Sequence, residues 1–141
     1  MTAPFLNYTR PTEGCEMVRK MPRPKVVEGY TFKTMCGCGK IYVTINFIDK
    51  KPFEVFVRSG QSGGCSFAQN EAIGRLISLA LRCGIPAEEI INQLKNIRCP
   101  KPLMSKEGRI TSCADAIAKT LQQFLEGAKP EPDEKQTRLE G

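Results

Sequence analysis

Four cysteines lie where the sequence predicts a helix or strand to begin or to end. They occur in the motifs Gly-Cys-Gly, Gly-Gly-Cys, Arg-Cys-Pro and Thr-Ser-Cys, and 26, 33 and 13 residues lie between successive cysteines of the four. Glycine and proline shape the backbone at such boundaries, so distant thiols can meet at one point, as a tetrahedral thiolate metal site requires. The predicted metal ligands are Cys38, Cys65, Cys99 and Cys113.

The long intervals leave other roles open for the seven cysteines of the chain. Zinc fingers usually show tight Cys-x-x-Cys pairs, and free cysteine is also a common small core residue. A core or helix-cap role is preferred for Cys83, which ends an apolar helical stripe, and Cys15 has no assigned role. Cys36 is a reserve ligand beside Cys38, because residues two apart in an extended strand point to the same face.

The length of 141 residues predicts one folded domain with extensions. We expect a basic, proline-containing and partly flexible arm over residues 1–29, the metal-binding domain over 30–127 and a disordered acidic tail over 128–141. The chain has no apolar run long enough to span a membrane and no signal-peptide pattern, so we expect it in the cytoplasm. An odd number of cysteines without an export signal fits thiols or metal ligands better than disulfides.

Hydrophobic periodicity predicts an α+β fold, in which an antiparallel hairpin or small sheet packs with three helices. Apolar residues alternate over 41–47 and again over 53–57, with a turn at 49–52. Helical spacing then predicts a first helix from Cys65 to Arg82, stopped by Gly84. A second helix opens at Pro86 and ends before Cys99, a polar connection covers 100–110, and a third helix, capped by Thr111 or Ser112, ends at Gly127.

The residue types restrict the chemistry of such a site. Cys65 and Cys113 are predicted at helix N-termini, where the helix dipole favours thiolate, and a closed Cys₄ zinc site would stabilise the fold without binding substrate. Iron-sulfur ligation uses the same donors. The glycine-rich segment 59–64 could hold a phosphate but lacks the Lys-Ser/Thr of a P-loop. The chain contains no histidine, which excludes a histidine base.

The charge of the chain is uneven. The net charge is +6, with a surplus of lysine and arginine in residues 1–110 and a surplus of acids beyond them. A basic surface permits nucleic acid or a nucleotide phosphate as partner. The arm residues expected to contact a partner are Arg19, Lys20, Arg23 and Lys25.

Several sequence motifs, taken in their order along the chain, resemble one known family. The motifs are Gly-Cys-Gly-Lys-Ile-Tyr-Val-Thr-Ile-Asn, Lys-Pro-Phe-Glu-Val-Phe-Val-Arg, Ser-Gly-Gly-Cys, Glu-Ala-Ile-Gly-Arg-Leu-Ile-Ser-Leu-Ala-Leu-Arg and Thr-Ser-Cys-Ala-Asp-Ala-Ile-Ala. Over roughly residues 23 to 125 they resemble the TSCPD domain, which occurs near the C-terminus of adenosylcobalamin-dependent (class II) ribonucleotide reductases and as a free-standing protein. The series is more distantly similar to IscU/NifU-like iron-sulfur scaffold proteins.

The resemblance implies a link to deoxyribonucleotide synthesis and places the family cysteines on Cys38, Cys65, Cys99 and Cys113. Ala114 stands where the family has proline, a residue that helps a helix to begin but is dispensable there. The reductase's catalytic barrel, radical cysteine and cobalamin site cannot fit in this chain. We therefore expect a non-catalytic zinc-binding accessory module with a protein partner, such as a reductase large subunit. The alternatives are an iron-sulfur scaffold or carrier, and a nucleic-acid or nucleotide-binding protein that uses the basic arm.

Overall fold

Three antiparallel strands, a two-stranded ribbon and three helices make up the fold. A computed structural model describes residues 19–59, 65–106 and 108–127. The element order is β1 (Glu28–Cys36), β2 (Gly39–Ile48), β3 (Lys51–Ser59), α1 (Cys65–Arg82), α2 (Ala87–Leu94), β4 (Leu103–Ser105), β5 (Gly108–Ile110) and α3 (Cys113–Leu125). The predicted α+β class is confirmed.

The main sheet is an antiparallel meander in the order β1-β2-β3. Two-residue turns join its strands: Gly37 and Cys38 link β1 to β2, and Asp49 and Lys50 link β2 to β3. Asp49 and Lys50 both have positive φ, 51° and 64°, as expected of the primed turns that match strand twist. The predicted hairpin over residues 41–57 is therefore present, and β1 adds a third strand beside β2.

Two regions differ from the sequence prediction. β1 was not predicted, because its inward positions include Thr34 and its alternation is weak; it pairs along its whole length with β2. The predicted polar connection over residues 100–110 contains the ribbon of β4 and β5, whose strands have three residues each. Strands this short are below the length at which a period of two can be recognised.

α1 covers the outer edge of β3. The hydroxyl of Ser78 accepts a hydrogen bond from the Val55 amide and donates one to the Val55 carbonyl, both at 2.9 Å. Gly74 allows this close approach, since a Cβ there would lie 3.2 Å from the Val55 carbonyl oxygen. An edge strand presents unpaired backbone groups, and one serine side chain satisfies this pair.

The hydrophobic core lies between one face of the main sheet and the helices. Buried strand residues such as Ile41, Val43 and Val55 form one cluster with Ile77 of α1 and Ile117 of α3. α3 is almost entirely buried along its first half, where Ala114, Ala116 and Ala118 alternate with larger residues. Small side chains let this helix approach the sheet and α2 closely, which brings its N-terminus to the end of β1.

The helix starts agree with prediction, whereas α2 and α3 end earlier than predicted, at Leu94 and Leu125. α1 has the predicted ends, α2 follows Pro86, and Ser112 caps α3 by accepting a hydrogen bond from the Asp115 amide at 3.1 Å.

Among the described residues, no helix combines the length and the hydrophobicity that a membrane span needs. The predictions for residues 1–18, for the glycine-rich loop 60–64 and for the tail 128–141 lie outside the described residues, and the domain boundaries stay predictions.

Candidate metal centre

Three cysteine sulfurs meet where β1, the first turn and α3 come together. Cys36 ends β1, Cys38 lies in the turn and Cys113 is the first residue of α3. Their Sγ atoms all lie within 4.8 Å of one another, and the Sγ atoms of Cys36 and Cys113 are 2.8 Å apart. Cys36 is buried, Cys113 half-buried and Cys38 exposed. The group can therefore hold a metal ion close to the protein surface.

The tight turn between β1 and β2 places two of these thiols side by side. Cys36 pairs with Gly39 across the hairpin, and Gly39 has a φ of 121° that favours glycine. Gly37 lies directly against the loop before β4, where an added Cβ would be 1.7 Å from the Lys101 carbonyl oxygen. Only glycine fits at this position, so the turn carrying Cys38 is held against the segment that follows Cys99.

A network around Asp115 holds the third thiol in place. The carboxylate of Asp115 accepts hydrogen bonds from the amides of Asn96, at 2.8 Å, and Thr111, at 3.0 Å, and pairs with Lys119 at 2.8 Å. These contacts tie the end of α2 and the approach to α3 to the first turn of α3. Cys113 lies two residues before Asp115, so the network orients the helix start that carries it.

The hydrogen bonds also control the ionisation of Asp115. Burial alone would raise the pKa of this carboxyl, but hydrogen bonds from the Asn96 amide, Lys119 and the Thr111 amide, together with the charge of Lys119, outweigh it and lower the pKa. Asp115 is therefore a buried carboxylate in the folded protein, compensated by donors on every oxygen.

Burial and the neighbouring thiols disfavour the ionisation of Cys113. Burial, together with the hydrogen bond and charge of Cys36 and the proximity of Cys38, raises the pKa of Cys113 to about 12. The sequence predicted the opposite direction, since a helix N-terminus favours thiolate. That prediction was wrong for Cys113, because burial and the neighbouring Cys36 and Cys38 outweigh the effect of the helix N-terminus.

The structure brings together two of the four predicted ligands and adds the reserve candidate Cys36. Cys99 is half-buried, and its amide donates to the Thr111 carbonyl at 2.9 Å, so its backbone runs beside the approach to Cys113. Cys65 is exposed at the start of α1. Neither belongs to the group of three described here, and their ligand roles stay predictions. Cys36 was the reserve ligand because of its two-residue spacing from Cys38, and the hairpin turn, rather than a shared strand face, brings the two thiols together.

The fold and this site define a class: a small α+β domain with a cysteine cluster able to hold a metal ion. The sequence model of the TSCPD domain matches residues 8–125. The chain therefore belongs to the TSCPD domain family. Its Thr-Ser-Cys-Ala-Asp motif forms the cap and first turn of α3 and contains both Cys113 and Asp115. No curated protein and no solved structure gives a significant match to the chain.

Proposed function

We propose that this protein is a zinc-binding, non-catalytic accessory module of nucleotide-reduction machinery, acting in the cytoplasm. The observation that carries the proposal is the convergence of three thiols within 4.8 Å at the junction of the hairpin and α3. Thiolates bind zinc at about 2.3 Å in a tetrahedron, which separates neighbouring sulfurs by about 3.8 Å. The three Sγ atoms already lie within 4.8 Å of one another, and the pair of Cys36 and Cys113, at 2.8 Å, would have to move apart by about 1 Å to reach that spacing. The chain offers no histidine to compete for the ion.

The fourth ligand that we propose is Cys99. Its segment contacts neighbours of the cluster on two sides: the Cys99 amide donates to the Thr111 carbonyl, two residues before Cys113, and the Lys101 carbonyl lies against Gly37, between Cys36 and Cys38. A zinc ion held by Cys36, Cys38, Cys99 and Cys113 would join the hairpin turn, the loop before β4 and the start of α3. Such a closed site contributes directly to folding free energy and leaves no position for a substrate.

Elemental analysis of cysteine variants tests the ligand set. We expect about one zinc per chain in the wild type, and loss of zinc with a lower melting temperature in Cys36→Ser, Cys99→Ser and Cys113→Ser. Cys83→Ser is the matched control, because Cys83 lies at the end of α1 outside the group. Cys65→Ser decides between the two sets, which share Cys38, Cys99 and Cys113: retained zinc supports the set with Cys36, and lost zinc supports the set with Cys65 that was predicted from sequence.

An iron-sulfur cluster is the second candidate, and the exposure of Cys38 favours it, since a transferable cluster must be reached by a partner. Cysteine thiolates are the ligands of both kinds of site. Anaerobic purification followed by visible spectroscopy separates the candidates because zinc is colourless. A brown protein with iron and sulfide, losing its colour in Cys113→Ser, would replace zinc by a cluster in the proposal.

Membership of the TSCPD family supports the link to ribonucleotide reduction. The partner that we propose is a reductase large subunit, contacted in part by the arm residues Arg19, Lys20 and Lys25, which are exposed. Capture of that subunit by the metal-loaded protein, and its loss with the metal-free Cys113→Ser variant, is the expected result. A zinc-loaded protein that captures no reductase subunit under reducing conditions would refute the link while leaving the metal site intact.

A further inference from the structure

In the described part of the chain, much of the outer face of the main sheet is exposed, while Arg23 covers Glu54 on that face. The sheet's inward residues form the core with the helices, whereas the side chains of the opposite face point away from that core. On β2 and β3, Tyr42 is 36% exposed and Phe56 is 48% exposed. The outward residues that share this face include Thr31, Lys33, Met35, Lys40, Tyr42, Thr44, Asn46, Glu54, Phe56 and Arg58.

Strand register places the two rings next to each other and beside cations. Tyr42 lies opposite Arg58, and Thr44 lies opposite Phe56, so the rings are diagonal neighbours on adjacent strands. Diagonal neighbours are about 7 to 8 Å apart, within the reach of aromatic side chains. Lys33 lies opposite Tyr42 on the other side. Aromatic and basic side chains therefore alternate across the face.

The charge of the face is positive. Among the described residues that share it, Glu54 is the one carboxylate, and its side chain is only 3% exposed. Arg23 pairs with Glu54 at 3.0 Å and Asn46 donates to it at 2.7 Å, so this negative charge is neutralised. Arg23, which the sequence assigned to the basic arm, therefore forms an ion pair with the main sheet.

A cavity of about 840 Å³ extends the same face towards α1. Phe56 and Arg58 form part of its wall, and Phe67 adds a further partly exposed ring from α1. Five cationic side chains and two carboxylates line it, and each carboxylate is already paired with an arginine: Glu54 with Arg23 and Glu71 with Arg75. The positive surface is therefore continuous from the sheet to the helix.

We propose that this sheet face and the adjoining cavity bind single-stranded nucleic acid. Unpaired bases would stack on Tyr42 and Phe56, while Arg58, Lys40 and Lys20 would contact the phosphates. Exposed rings interleaved with cations suit an unpaired strand, whose bases present their faces, better than a duplex, whose bases are stacked on one another. The surface is distinct from the thiol cluster, so the inference goes beyond the metal-binding function and does not depend on it.

Fluorescence anisotropy with labelled oligothymidylate and oligouridylate of about 20 nucleotides tests the stacking step. At low salt we expect both probes to bind, and Tyr42→Ala and Phe56→Ala each to weaken binding by about five- to hundredfold. Tyr42→Phe is the matched control, because it keeps the ring and should bind like the wild type. Equal affinity of Tyr42→Ala and the wild type, with circular dichroism showing both folded, would overturn the proposal.

A salt series tests the phosphate step. Arg58→Gln should weaken binding and reduce the dependence of log K on log salt concentration by about 0.7, the contribution of one phosphate contact on a single strand. Arg109→Gln makes the same charge change on the exposed surface of β5 and should leave the slope unchanged. Equal slopes in the two variants, or displacement of the probe by polyglutamate or duplex DNA as readily as by single strands, would contradict a site for unpaired nucleic acid.

Discussion

Replacement of Asp115 by alanine should be among the most destabilising single changes in this domain. The side chain is 0% exposed and accepts hydrogen bonds from two backbone amides and from Lys119. Hydrogen bonds to a charged group contribute about 1.5 to 3 kcal/mol each, and a buried donor left without a partner costs about 1 to 3 kcal/mol. Lys119 is half-exposed, so its contribution is discounted. The two amides alone predict a loss of about 4 kcal/mol.

Urea denaturation followed by circular dichroism measures this loss. A change of about 4 kcal/mol in a domain of this size also lowers the melting temperature by about 15 °C or more. Asp115→Asn keeps the shape and one acceptor oxygen, so we expect an intermediate loss of about 2 kcal/mol. Glu71→Ala is the control: it removes an exposed ion pair with Arg75 one helical turn away, which should cost less than about 0.5 kcal/mol.

The pH dependence gives an independent readout of the same carboxylate. The folded-state pKa of Asp115 is lowered below its ordinary value of 3.8. A carboxyl of this kind contributes stability that is fully present above its unfolded-state pKa and is lost as the pH falls through its folded-state pKa. The difference in unfolding free energy between wild type and Asp115→Ala should therefore be constant above about pH 5 and shrink below about pH 4.

Two results would refute this reasoning. One is a loss below about 1 kcal/mol in Asp115→Ala, equal to that of an ordinary surface change. The other is a difference from the wild type that stays constant as the pH falls to about 2, since the carboxylate would then not be the group that stabilises the fold.

Three further predictions follow from the contacts around the sheet and the thiols. Gly37→Ala should cost about 3 kcal/mol and weaken zinc retention, because the new Cβ collides with the Lys101 carbonyl; unchanged melting and zinc content would contradict that contact. Ser78→Ala should cost about 1 to 3 kcal/mol in urea denaturation, since it leaves the Val55 amide and carbonyl without their partner; a loss as small as that of Glu71→Ala would show that water replaces the hydroxyl. Zinc affinity, measured by competition with a chelator of known pH dependence, should keep rising with pH past about pH 9, because the raised pKa of Cys113, about 12, keeps a proton on the thiol that zinc must displace; a profile that levels off near pH 9, the ordinary thiol value, would contradict a Cys113 ligand with a raised pKa.

Much of the fold follows from local patterns in the sequence. The alternation of Ile41, Val43 and Ile45 predicted a strand because a half-buried strand must place every second side chain inside. The ends of α1 and the cap of α3 followed from glycine and serine, which act on the backbone within a turn of their own position. β1 escaped prediction because Thr34 lies on its inward side and the apolar Met35 on its outward side, which hides in the sequence the alternation that its burial follows.

Local patterns did not predict which residues come together at the candidate site. Their places at element boundaries predicted Cys38 and Cys113, which lie in the thiol cluster, and Cys65 and Cys99, which lie outside it, whereas Cys36, which lies inside it, was a reserve candidate. The sequence also carried no sign that Asp115 joins three segments.

The sequence by itself determined which stretches become strands and helices, because periodicity and capping depend on residues only a few positions apart. The tertiary structure alone decided which thiols meet. Cys36 and Cys113 are 77 positions apart, and their contact depends on the hairpin register, the fit of Gly37 against Lys101 and the close packing of α3. A contact between such distant residues is set by how the whole core packs, which no local pattern records.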